Sequence, residues 1–153
     1  MVKLENYSVE GTVLSLNISK EKGTVKVPVD EITLVIDHGI VGDAHAGDWH
    51  RQVSLLDNES ILKMENEQYN IVPGSFAENI TTSGLVLFEF KIGTRFHINN
   101  VILELTQIGK ECHKGCEIRT LVGDCVMPRE GIFAKVIQEG TIQTGDKIKV
   151  EVI

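Results

Sequence analysis

The sequence predicts a mainly β fold, a closed or partly open β-barrel with one or two short helices. Three observations carry that expectation. Short apolar runs recur along most of the 153 residues, the breaks between them are made of Gly, Asp and Asn, and a single stretch has the composition of a sustained helix. Many short strands with few helices suit a barrel or a sandwich.

Gly11 to Ile18 opens the series, with Val13, Leu14, Leu16 and Ile18 set between Gly and Ser. Val25-Lys-Val-Pro-Val29 alternates, and Pro28, which has no amide hydrogen, marks an edge or a strand end. Ile32 to Ile36 is β-branched and stops at Asp37-His-Gly39, a turn signal. Further runs are Gln52 to Leu56, Phe76 to Thr81, Arg95 to Ile98 and Val101 to Gln107. Asn99-Asn100 joins the last two as a tight hairpin, because Asn tolerates the left-handed backbone such turns need. Gly131 to Ile137 and Lys147 to Ile153 close the chain, joined by Gly140 to Asp146. Asp57 or Asn58 caps the expected helix, whose body is Glu59 to Gln68 with Ile61, Leu62 and Met64 on its apolar side. Asn70 stops it before Pro73, and a second short turn is expected at Cys116 to Leu121.

No linker, repeat or low-complexity tract divides the chain, so one domain over residues 1–153 is the simplest organisation. That length can bury a core without disulfide staples. The 42% hydrophobic share is globular, and no apolar run is long enough to cross a bilayer. The start Met-Val-Lys-Leu-Glu-Asn lacks the apolar block of a signal peptide, so a cytoplasmic protein with no membrane partner is expected. An odd count of three cysteines does not make a disulfide framework. The net charge of -7 argues against nucleic acid, which needs basic surface to displace counterions. It leaves room for a small anion held by a local cationic cluster.

Such a cluster surrounds the cysteines. Gly109-Lys-Glu-Cys112-His113-Lys114-Gly-Cys116-Glu-Ile-Arg119, with Cys125 and Arg129 following, gathers all three thiols among cations and glycines. Three readings compete. Each cysteine can be a small buried hydrophobe, the ordinary state of a free cysteine, which suits Cys125 best. Cys112 and Cys116, with Cys125 and His113, can ligate zinc, although the spacing is not a paired Cys-x-x-Cys signature. Alternatively, Lys110, His113 and Lys114 lower a thiol's pKa, giving a thiolate that reacts with sulfur or ligates a soft metal. Chemistry alone leaves the last two close together.

The order of motifs resembles the MOSC family, the module found at the C-terminus of molybdenum cofactor sulfurases and as stand-alone bacterial proteins. Gly11 to Ser19 is similar to its opening strand, followed by Lys26-Val-Pro28. Gly39-Ile-Val-Gly42-Asp43-Ala-His45 resembles its Gly-x-x-Gly-Asp-x-His loop, and His50-Arg51-Gln-Val53 the basic element after it. Phe76-Ala-Glu78-Asn79-Ile80-Thr81 with Gly84-Leu85 is similar to its Gly-Glu-Asn segment, with Ala77 standing where the family has glycine. Gln107 and Cys112 resemble the family's Gln-x4-Cys, and Gly131 to Val136 with Gly140 and Gly145-Asp146 its closing strand and turn.

The resemblance implies a barrel-like fold, a cysteine that handles sulfur, and a link to the molybdenum cofactor (molybdopterin). It nominates Cys112 as that cysteine, with His113, Lys110 and Lys114 as the groups that ionise it and Cys116 as a second thiol or metal ligand. Sulfur-transfer activity would then require a partner, a cysteine desulfurase or another molybdenum cofactor protein, because no pyridoxal phosphate site is seen in this chain. For a small anionic pterin ligand, Asp43, His45, His50 and Arg51 are the candidate contacts, with Arg119 adding positive charge. Glu78 and Asn79 are either a polar turn or groups that orient the ligand loop. Trp49 is expected to pack beneath the loop, and His38 and His97 to be structural.

Overall fold

The computed structural model describes residues 9–21, 25–62, 73–109 and 130–152. Its strands are β1 (Val9–Ile18), β2 (Val27–Val29), β3 (Glu31–Val35), β4 (Gly39–Ile40), β5 (Val53–Asp57), β6 (Ile80–Ser83), β7 (Arg95–Ile98), β8 (Val101–Ile108), β9 (Ile132–Gln138), β10 (Gly140–Gln143) and β11 (Lys147–Glu151). A helix α1 (Asn58–Leu62) follows β5, and a single 3-10 turn spans Leu87–Glu89.

Hydrogen bonding runs in the order β11-β7-β8-β9-β5-β6-β1-β2, and β11 also pairs with β1. That last pairing closes β1, β6, β5, β9, β8, β7 and β11 into a seven-stranded barrel, removing edges that would otherwise be free. β1 supplies the seam. Val9 to Thr12 pair with β11, whereas Leu16 to Ile18 pair with β2. The pairing of β1 with β6 shifts register between Val13 and Ser15, a bulge that leaves Leu14 exposed at 41%. β5 pairs parallel to β6 and antiparallel to β9, and all five of its residues are buried. Its burial includes polar side chains: Ser54 Oγ donates to Ala77 O at 3.2 Å, and Asp57 Oδ1 accepts from Thr82 Oγ1 at 2.6 Å.

Inside the barrel sit Val13, Leu16, Val53, Leu55, Ile80, Phe96, Ile98, Leu103, Leu105, Ile132 and Val136, continuous with Ile32, Leu34 and Ile142 from a second, three-stranded sheet, β10-β3-β4. The Asn99-Asn100 hairpin is present, with Asn99 at φ 54° and Ile98 opposite Val101. Asp57 caps α1, its Oδ2 accepting from the Glu59 amide at 3.2 Å. The remainder of the expected helix and the turn at residues 116–121 fall outside the described residues.

Two expectations differ from the structure. The joining segment from Gly140 contains β10, whose single apolar residue, Ile142, is buried against β3. The strand expected from Phe76 begins only at Ile80. The reason is a turn in which the Ala77 amide donates to Gly74 O at 3.0 Å and Ala77 takes φ 64°. The residue standing in the family's glycine position thus adopts the left-handed conformation that glycine enters freely. Relieving it should return about 1–2 kcal/mol of strain, against about 0.8 kcal/mol for the buried methyl. Ala77→Gly is therefore expected to stabilise the protein by about 0.5–1 kcal/mol. Urea titration checks this, and a lowered midpoint would show that methyl packing and chain entropy outweigh the strain.

Candidate functional site

The site is built where β1 leaves the barrel and the loop after β4 crosses over it. Asp43 lies in that loop with its side chain fully buried, and its Oδ1 accepts from Lys26 Nζ at 2.7 Å, itself fully buried. The same oxygen accepts from the Ser19 amide (3.1 Å), and Oδ2 accepts from the His45 amide (3.1 Å). Burial on its own pushes the Asp43 carboxyl up. The hydrogen bond and charge of Lys26, with the two amides, outweigh it and hold the group below the ordinary aspartate value. Asp43 is therefore an ionised anchor that fixes the loop to the end of β1, reinforced by Ala44 N donating to Ser19 O at 2.8 Å.

Lys26 Nζ also donates to Ser19 Oγ (3.1 Å) and lies 3.1 Å from His45 Nδ1. Sequence reasoning did not single out this lysine. Its visible signal was only the Lys-Val-Pro segment, where alternation assigns lysine to the solvent face.

Trp49 connects this cluster to a second one. Its indole Nε1 donates to His45 O at 2.8 Å, and the Arg51 guanidinium carbon lies 4.6 Å from its ring centroid. The same carbon lies 5.5 Å from the Phe133 ring centroid. Arg51 Nε is buried and meets no hydrogen-bond acceptor among the described residues. An arginine within cation–π distance of two aromatic rings, with a buried donor that meets no acceptor among the described residues, is arranged for an acceptor those residues do not supply.

His50 is exposed and its Nε2 lies 2.8 Å from Gln107 Oε1. Gln107 Nε2 donates to Gly109 O at 2.7 Å, which fixes the amide with its oxygen toward His50. Thr106 Oγ1 bonds His50 O and, at 3.1 Å, Phe133 O, so the end of β8 grips the His50–Arg51 loop.

Glu78 and Asn79 form a buried base beneath the loop. Asn79 Oδ1 accepts from the Ser54 amide (2.9 Å), and its Nδ2 donates to Asn17 O (3.1 Å). Glu78 accepts from the Gly74 amide (3.0 Å), the Phe76 amide (3.2 Å) and Thr81 Oγ1 (2.7 Å). Its carboxyl is pushed above the ordinary glutamate value by burial, which these donors offset in part. Both residues have their polar atoms engaged within the protein, and they set the turn that supports Lys26 through its amide bond to Gly74 O (2.9 Å). His38 is exposed, and His97 Nε2 lies 3.4 Å from Glu151 Oε1.

The structure thus brings together Asp43, His45, His50 and Arg51, through Trp49. Lys110, Cys112, His113, Lys114, Cys116, Arg119 and Cys125 lie outside the described residues. Their points of entry and return are described: Gly109 N donates to Gly131 O at 2.7 Å, directly after Ile108 pairs with Ile132. A cavity of about 420 Å³, lined by Ile18, Ser19, Val25, Val27 and Gly42 among others, adjoins the Asp43 anchor. Among the described residues no group of three or more His, Cys, Asp or Glu is placed to hold a metal ion. Nor is any helix there long and apolar enough to cross a membrane.

Comparison with known proteins adds the following. The family model described as MOSC domain matches residues 42–149. The crystal structure of the YUAD protein from Bacillus subtilis superposes with a TM-score of 0.78 at 22% identity, covering 95% of this chain and 97% of that one. YiiM from Geobacillus stearothermophilus gives 0.70 at 20% identity, covering 92% of this chain and 74% of that one. YiiM from Escherichia coli gives 0.68 at 18% identity, with 92% and 69% covered. At such identities the likeness concerns the fold. No curated protein sequence matches.

Proposed function

Because this chain belongs to the MOSC domain family, whose members are associated with molybdenum cofactor metabolism, we propose that it binds the anionic molybdenum cofactor, or carries sulfur to it, through Cys112. The observation that carries this reading is Arg51. Its buried Nε meets no acceptor among the described residues, and its guanidinium carbon lies 4.6 Å from the Trp49 ring and 5.5 Å from that of Phe133, which pairs with Gln107 near the end of β8. A flat heterocycle with an anionic tail suits that combination, since aromatic walls accept the ring and guanidinium pairs with phosphate.

In this reading Arg51 and Arg119 hold the anionic end, with His45 and His50 directing hydrogen bonds. Asp43, Glu78 and Asn79 act through the loop they anchor rather than by touching the ligand. Cys112 holds sulfur as a persulfide delivered by a partner desulfurase, and Lys110, His113 and Lys114 keep its thiol ionised. Cys116 serves as a second sulfur donor. The cofactor, when bound, supplies a metal centre that accepts soft sulfur ligands.

Native mass spectrometry tests the reading. The expected species carry either a persulfide mass increment or a bound pterin, and Cys112→Ala should lose the increment completely. Stoichiometric zinc without pterin, or an increment that survives in Cys112→Ala, would overturn the assignment.

A further inference from the structure

Gln107, five residues before Cys112 in the chain, directs its side chain at His50. Its amide can face its two neighbours in one way only. Gly109 O accepts hydrogen bonds and donates none, so the atom 2.7 Å from it is the amide nitrogen. The amide oxygen then faces His50 Nε2 at 2.8 Å. A ring nitrogen in hydrogen-bonding range of a carbonyl oxygen carries a hydrogen, since two lone pairs would otherwise oppose each other. In the neutral imidazole this leaves the lone pair on Nδ1.

A bulge in β8 makes the contact. Leu105 pairs with Ala134 and Gln107 with Phe133, so β8 advances two residues where β9 advances one. In a regular strand Thr106 and Gln107 would point to opposite faces. Here both reach His50, Thr106 Oγ1 at its carbonyl and Gln107 at its ring. Gly109 is itself fixed, because its amide donates to Gly131 O at 2.7 Å. His50 is exposed, and its Nδ1 meets no partner among the described residues. Its ring stands edge-on to Trp49 with centroids 6.1 Å apart, the same indole that Arg51 approaches.

We propose that Gln107 sets the selectivity of the anion site: it fixes His50 as a hydrogen-bond acceptor at Nδ1, and the site thereby favours an oxyanion that still carries a hydrogen over one that is fully ionised. Arg51 only donates, so it receives a charged oxygen from either kind of anion. A lone pair on His50 Nδ1 accepts the O–H of a hydrogen-bearing oxyanion and repels the bare oxygen of the other. Gln107 acts through His50, as a positioning residue. The selectivity rests on the anion-binding reading; the assignment of the ring nitrogens does not.

Two measurements on the full chain test this, both at about pH 8, where an ordinary imidazole is neutral. In ¹⁵N-labelled protein, long-range ¹H–¹⁵N correlation is expected to show His50 with a pyrrole-like Nε2 and a pyridine-like Nδ1. In Gln107→Met the two signals should move toward the average of exchanging tautomers. A hydrogen on Nδ1 in the parent, or signals unchanged in Gln107→Met, would overturn the positioning role. The second measurement compares inorganic phosphate, which carries a hydrogen at this pH, with sulfate, which carries none. Calorimetric titration should find phosphate bound about tenfold more tightly, the effect of one hydrogen bond to a charged group. Gln107→Met should narrow that preference and His50→Phe should abolish it. Equal binding in the parent, or a preference unchanged in either variant, would sink the selectivity while leaving the anion site standing. Binding of neither anion would remove the selectivity together with the anion-binding reading, with the nitrogen assignment unaffected.

Discussion

Lys26→Met is expected to lower the unfolding free energy by about 3–5 kcal/mol, the cost of breaking a buried ion pair by removing one partner. The pair is 2.7 Å apart with both side chains fully buried, so Asp43 would keep a charge that neither water nor a counter-ion relieves. In the parent the Asp43 carboxyl lies below its ordinary value of 3.8. Its contribution to stability is therefore fully present above that value and is lost as pH falls through the folded value. In the variant the direction reverses, because an unpaired buried carboxylate prefers to be protonated. Denaturant titration should find the gap between parent and variant widest at neutral pH, narrowing as pH falls first through the variant's raised carboxyl pKa, above 3.8, and then through the parent's lowered one. A gap that stays constant with pH would mean that lost side-chain packing, not charge, is the cause. Adding Asp43→Asn should recover a large part of the loss, since removing both charges spares the desolvation.

Gly74→Ala is the second substitution with a large expected effect. Gly74 has φ 93°, and a Cβ built there would lie 2.3 Å from Lys26 O, a backbone atom that cannot swing aside. The strained dihedral and the overlap each cost about 1–3 kcal/mol, so a loss of about 3 kcal/mol or more is expected. The overlap falls on the strand segment that presents Lys26, whose amide bonds Gly74 O. The two variants should accordingly be non-additive in a double-mutant cycle. Additive losses would show that displacement of the Gly74 turn does not reach the Lys26–Asp43 pair.

Much of the barrel was legible because its strands obey short-range rules. β7 and β8 flank an Asn-Asn turn, and β5 centres on Val53, Leu55 and Leu56, which the barrel buries. Closure was not legible, since it depends on Val9 to Thr12 finding β11 at the far end of the chain. β2 shows how alternation misleads when an edge strand borders a site. The pattern Val25, Val27, Val29 assigns the valines to the core, yet Val27 is 60% exposed and Lys26 is 3% exposed. Pro28 is exposed and Val29 packs against the core, so the exchange is confined to Lys26 and Val27, where a buried aspartate from a distant loop draws the lysine inward. Asp43 and His45 could be noticed in sequence because glycines frame their loop. The partner that gives them their state could not, because a lysine carries no local sign that it will be desolvated. The Arg51 Nε, buried with no acceptor among the described residues, was invisible for the same reason: it is defined by its surroundings and not by its neighbours in sequence.

The bond between Gly109 and Gly131 follows directly on the last pair of the β8–β9 ladder, so the two strands hold the ends of the cysteine-bearing stretch together. Lengthening the chain between two ends so held costs only logarithmically in chain entropy. The scaffold is thus nearly indifferent to what is written between its two glycines. Chemistry can be revised there by insertion, deletion or exchange while the seven-stranded ring and Arg51 stay as they are.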